Sequence, residues 1–148
     1  MAKAKLNTDT IVTTMEGFFV KLPALPKNIK DFIATVIPWV ALVFGALGIL
    51  GSLAGLGIGT FAAPFSFMVK GVNLYGIFAL GMVISLVVAV LTLIAGFQLL
   101  KKRVLGWKLL FWAEIIAGVG SLITFSLSGL VFAFIWFYIL FQIKSYYK

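Results

Sequence analysis

Four carboxylates, Asp9, Glu16, Asp31 and Glu114, are the only acidic residues of this 148-residue sequence apart from its tyrosines, and it has neither histidine nor cysteine. Without thiolate or imidazole there can be no disulfide, thiol nucleophile or cysteine-ligated haem or iron–sulfur cluster, and a zinc or copper site would need carboxylates alone. Hydrolysis fares no better, because no histidine can serve as base and a lone glutamate has no partner carboxylate for an acid–base pair. No enzyme activity, metal or cofactor is expected. Glu114 stands apart from the other acids. It lies in an apolar run six residues beyond Lys108, which on a helix is about 9 Å deeper, inside hydrocarbon but short of the midplane. The charged form is costly there, so the group is expected as a neutral acid unless a cation or water reaches it.

Antiparallel helices folded about their loops bring Thr92 and Tyr138 to nearly the level of Glu114. Two chemistries follow from such a polar layer. In one, a hydroxyl and a phenol hydrogen-bond the acid and hold three helices in register. In the other, Glu114 takes up and releases a proton in step with a cationic or polar substrate. The second is similar in function to small multidrug exporters, which are also four-helix proteins. Their essential glutamate lies in the first helix, however, and the first apolar span here contains no acid.

The elements that must position these residues follow from composition. A chain that is 63% hydrophobic and 11% charged falls outside the range of soluble domains, and runs of roughly 18 or more apolar residues are long enough to cross a hydrocarbon core about 30 Å thick. The expected fold is all-α and polytopic, with residues 1–31 as an N-terminal segment and 32–148 as a four-helix transmembrane domain. Spans are expected at about 32–58, 74–100, 107–125 and 127–143. Pro38 frees the carbonyl of Ala34, which then needs a neighbouring helix, a hydroxyl such as that of Thr35, or water. Gly48, Gly51, Gly55 and Gly59 form a small-residue stripe on the first span, and Gly81, Ser85 and Ala89 another on the second, where a second backbone can approach. Their spacing suits helix packing and lacks the lysine and threonine of a phosphate loop. Residues 60–73, with Pro64, Lys70 and Gly71, read as a loop, and Ser126, Ser128 and Gly129 as a hairpin break. Trp107 and Lys108 mark an interface, and Gln98 and Gln142 are expected to meet headgroups or water.

Ahead of the first span, Ile11 to Leu22 places Ile11, Val12, Met15, Phe18, Phe19 and Leu22 at helical spacing, with Asp9 as N-cap. A short amphipathic helix lying in the membrane interface is expected, followed by a stiff elbow at Leu22-Pro23-Ala24-Leu25-Pro26. The first apolar run is too long for a signal-peptide core, so the N-terminal segment is expected to stay on the chain. The net charge of +8 is spread beside apolar segments, which favours anionic headgroups over nucleic acid as its partner. Eleven of the twelve basic residues fall on one side of a four-span arrangement and only Lys70 on the other. A multi-pass protein of the cell (inner) membrane with both termini cytoplasmic is expected.

A weak internal echo, Trp39 with Gly45, Gly48 and Gly51-Ser52-Leu53 against Trp112 with Gly118 and Gly120-Ser121-Leu122, fits either duplication or shared membrane composition. The segments Leu25-Pro26-Lys27-Asn28-Ile29-Lys30, Ile37-Pro38-Trp39-Val40-Ala41-Leu42, Gly106-Trp107-Lys108-Leu109-Leu110-Phe111 and Leu140-Phe141-Gln142-Ile143-Lys144-Ser145-Tyr146-Tyr147-Lys148 resemble a family of small uncharacterised four-helix membrane proteins. That family comes from reduced-genome bacteria of the candidate phyla. The resemblance covers nearly the whole chain and implies a fold and a membrane location, with no activity and no site residues to carry over. The function expected first is a non-enzymatic, structural or assembly role. In it the lipid bilayer is the solvent, and the small-residue faces pack into a homo-oligomer or a larger membrane complex. The alternative is a small proton-coupled transporter or channel using Glu114.

Overall fold

The computed structural model describes residues 8–66, 74–123 and 127–147. It contains five α-helices: α1 Thr8–Phe19, α2 Lys27–Ser66, α3 Leu74–Leu100, α4 Val104–Ile123 and α5 Leu127–Ile143, followed by a 3-10 turn at Lys144–Tyr146. No strand occurs among the described residues. α2 to α5 are each long and apolar enough to cross a membrane. The helices pack in chain order, α2 on α3, α3 on α4 and α4 on α5, while α2 and α5 touch little.

α2 has 40 residues and overruns the residues expected for the first span at both ends. It opens at Lys27, where Pro26 supplies a carbonyl to the amides of Ile29 and Lys30. At the far end it continues through Thr60 to Ser66, so the first part of the expected loop is helical. The physical reason is that Phe61, Ala62 and Ala63 carry no backbone signal to stop, and Pro64 removes only one bond near a helix end. Residues 67–73 and 124–126 lie outside the described residues, and Ser128 and Gly129 of the expected hairpin break belong to the first turn of α5.

The three-residue connection 101–103 between α3 and α4 is a Schellman motif. The Lys102 amide donates to Leu99 O (2.9 Å) and the Arg103 amide to Gln98 O (3.1 Å). Lys102 sits at φ 51, the left-handed position usually given to glycine. Immediately afterwards α4 runs back so closely that a Cβ on Gly106 would lie 2.7 Å from Leu99 N and 2.9 Å from Ala95 O.

The tightest packing is at this lysine-rich end. Trp107, Leu110 and Phe111 of α4, Leu99 of α3, and Leu140 and Ile143 of α5 are all essentially buried. Trp107 stacks on Phe111 with ring centroids 5.6 Å apart. Its indole donates to Leu140 O at 2.8 Å, so a carbonyl of α5 satisfies the buried N–H. Trp107, at 1% exposure, is therefore a core residue of the lysine-rich end.

α1 is docked against this core. Val12 and Phe19 are buried, whereas Phe18 is 58% exposed. Phe19 stacks on Phe141 at 5.2 Å. Glu16 pairs with Lys144, whose ammonium also sits 5.5 Å from the Trp107 ring, and Asp9 pairs with Lys108 at 3.5 Å. Asp9 lies inside the first turn of α1 and not at its N-cap. The elbow is held by α5: Tyr138 Oη and Gln142 Nε2 donate to Pro23 O, and the Leu25 amide donates to Gln142 Oε1. Gln98 Oε1 accepts from Arg103. Both glutamines thus have protein partners, where headgroups or water were expected.

Candidate functional site

A cavity of about 350 Å³ lies where α2 to α5 come together, and it takes side chains from all four. α2 contributes Phe44 and Gly48, α3 contributes Ser85 and Thr92, α4 contributes Glu114, and α5 contributes Trp136. Phe44 lines the cavity while 67% exposed, which puts it at the rim. The opening therefore faces the outside of the bundle, beside the poorly closed seam between α2 and α5.

Glu114 and Thr92 share this cavity, so two of the three residues expected in a polar layer come together. Tyr138 does not join them. Its hydroxyl donates to Pro23 O in the elbow, because the face of α5 that carries Tyr138 is turned toward the N-terminal segment. The level differs as well as the face: Trp107 meets Leu140, Phe111 meets Phe137 and Gly118 meets Ala133, so Glu114 lies about one turn deeper than Tyr138. The Thr92 hydroxyl donates back to Val88 O at 2.7 Å, which leaves its lone pairs toward the cavity as acceptors only. The carboxyl of Glu114 has no hydrogen bond or ion pair among the described residues. Trp136 was not anticipated. Its indole nitrogen is buried and has no acceptor among the described residues, a costly state in an apolar setting.

The other three carboxylates are engaged at the lysine-rich end: Asp9 and Glu16 in ion pairs, and Asp31 accepting from the Tyr146 hydroxyl. No group of three or more potential metal-ligating carboxylates exists among the described residues.

The small-residue positions divide into two sets. A Cβ on Gly48 would lie 2.8 Å from that of Ala89, and one on Gly55 would lie 2.6 Å from the sulfur of Met82. Gly59 and Ser52 are buried on the same face. This face is occupied by α3 within the chain. Gly51 and Gly81 have nothing within 4 Å of a Cβ, and Ser85 is exposed at the cavity. Among the described residues the closest approach to another backbone falls on a glycine outside the stripe: a Cβ on Gly45 would lie 2.6 Å from Leu93 N. Its three-residue offset from Gly48 was the available signal.

The carbonyl freed by Pro38 is also satisfied. Tyr147 Oη donates to Ala34 O at 3.0 Å, while the Thr35 hydroxyl donates to Asp31 O instead. Burial pushes the Tyr147 hydroxyl up to about 12. No family model, curated protein or solved structure matches this chain.

Proposed function

We propose that this chain is a small, non-enzymatic membrane transporter or channel in which Glu114 exchanges a proton as a cationic or polar substrate occupies the cavity among α2 to α5. The observation that carries the reading is the unpartnered carboxyl of Glu114 facing a cavity to which all four long helices contribute. An intramembrane acid whose only role was structural would be expected to hold a hydrogen-bond partner on a neighbouring helix. In the proposed arrangement the bundle lies in the cell membrane with both terminal segments on the cytoplasmic side. α1 rides on the bundle at headgroup level, and neither nucleic acid nor a cofactor takes part. The resemblance to the four-helix proteins of candidate-phyla bacteria is compatible with this placement.

A second reading, assembly with another copy or a larger complex, draws on Gly51 and Gly81, where a neighbouring backbone would find open space. Gly48, Gly55 and Gly59 do not support it, since α3 already occupies their face. The two readings separate in liposomes under an imposed pH gradient. Transport requires proton-coupled or ion flux in the wild type and its loss in Glu114→Gln. Flux absent from both proteins, at unchanged oligomer size, removes the transport reading.

A further inference from the structure

The amide nitrogens of Ile29 and Lys30 close on the Pro26 carbonyl, whereas those of Lys27 and Asn28 have no acceptor among the described residues. The first turn of α2 therefore presents free donors and the positive end of a long helix. Lys27 and Lys30 stand on the same face of that turn, three residues apart. Neither makes an ion pair among the described residues. The nearby acids are already engaged, Glu16 with Lys144 and Asp31 with the Tyr146 hydroxyl. Asp31 accepts from a neutral phenol and keeps its charge one turn from Lys27, so the two lysines outnumber the single acid beside them.

Lys30 and Ser145 line two adjoining cavities. One, of about 360 Å³, is polar and is completed by Leu25, Lys27 and Tyr146. The other, of about 520 Å³, has an apolar wall of Phe19, Val20, Leu22 and Phe141 and, beside it, the paired Glu16 and Lys144. Ser145 is exposed and its hydroxyl makes no hydrogen bond among the described residues. Phe32, one short step further along α2, is 67% exposed, as suits a side chain at the edge of hydrocarbon. A basic recess at that level, backed by an apolar wall, has the profile of a lipid and not of a free anion, because a bare phosphate would leave the wall uncovered.

We propose that this elbow binds an anionic phospholipid, its phosphate taken by Lys27, Lys30 and the Ser145 hydroxyl and its glycerol and upper chain lying along Phe19, Leu22 and Phe141. The site is separate from the Glu114 cavity and does not depend on transport. In function it would fasten the elbow, and with it α1, to one leaflet.

The test is native mass spectrometry of protein drawn from vesicles of equal phosphatidylglycerol and phosphatidylcholine. The wild type is expected to retain phosphatidylglycerol preferentially. The pair Lys27→Gln with Lys30→Gln should lower that preference roughly thirtyfold, from the usual contribution of a lysine near an anionic surface. The pair Lys101→Gln with Lys102→Gln removes the same charge from the same end and should leave the preference in place. Equal loss in both pairs, or equal retention of the two lipids by the wild type, overturns the proposal. Displacement of the bound lipid by millimolar inorganic phosphate would make the site one for a free anion and overturns it too. If the Lys27 and Lys30 variant does not fold, the two wild-type measurements still decide the matter.

Discussion

Tyr147 donates its hydroxyl to the carbonyl oxygen of Ala34 across 3.0 Å, and that carbonyl is the one Pro38 deprives of its helical partner. A defect at one end of α2 is thus repaired by a residue more than a hundred positions away. Tyr147→Phe should cost about 1–2 kcal/mol, the price of an orphaned carbonyl. In a Pro38→Ala background the carbonyl regains a helical N–H, and the same substitution should cost much less. A double-mutant cycle on unfolding in mixed micelles measures the difference; additive effects would mean the bond carries no stability.

The same hydroxyl makes stability fall at high pH. Its folded value is raised from 10.0 to about 12 by burial, so between those limits the native state keeps a proton that the unfolded chain has lost. The contribution is complete below pH 10 and disappears as pH rises through about 12. Thermal unfolding across this window should show a steeper decline for the wild type than for Tyr147→Phe. Parallel curves would assign the decline to other groups.

Gly45 and Gly51 sit on one helix but should answer oppositely to a methyl group. At Gly45 it meets the Leu93 backbone, which cannot give as a side chain can, so Gly45→Ala should destabilise by about 1–3 kcal/mol. At Gly51 there is open space, and Gly51→Ala should be neutral or stabilising by up to about 1 kcal/mol through helix propensity. Unfolding midpoints of the two variants check this directly. Similar losses at both sites would imply that Gly51 contacts a second chain.

Lys102→Gly should stabilise the turn between α3 and α4. The left-handed conformation at φ 51 costs a side-chain-bearing residue about 1 kcal/mol that glycine does not incur. The expected observation is a higher unfolding midpoint. A lower one would show that the Lys102 side chain contributes more than its backbone costs.

How legible these relationships were in the sequence depended on the kind of information each required. Apolar runs bounded by polar residues lie where α3 and α5 form, since hydropathy marks where a chain can meet lipid. It does not mark where a helix stops, which is why α2 passes through Thr60 to Ser66. A ruler of 1.5 Å per residue put Glu114 and Thr92 at one depth, and they share a cavity. For Tyr138 it fails by about one turn, because the register of α4 on α5 is set by packing such as Trp107 on Leu140 and not by loop position. The need created by Pro38 was readable, but the donor was not, because Tyr147 lay in a closing run whose lysines and tyrosines suggested only an interface. The burial of Trp107 is hidden for a similar reason: beside Lys108 it resembles an anchor, and only the packing of α4 on α5 shows its N–H committed to Leu140 O.

The length of α2 has one further consequence. Forty residues make a rod of about 60 Å, whereas the 17 residues of α5 make one of about 26 Å. Even a 40° tilt leaves the longer rod spanning about 46 Å, well beyond a hydrocarbon layer of about 30 Å. Its distal part still carries apolar side chains outward, Ile58 at 69% and Phe61 at 83% exposure. Hydrophobic mismatch within a single bundle would make the surrounding bilayer thicken on the side of α2 and thin on the side of α5, so that the protein should sort by membrane thickness as well as by charge.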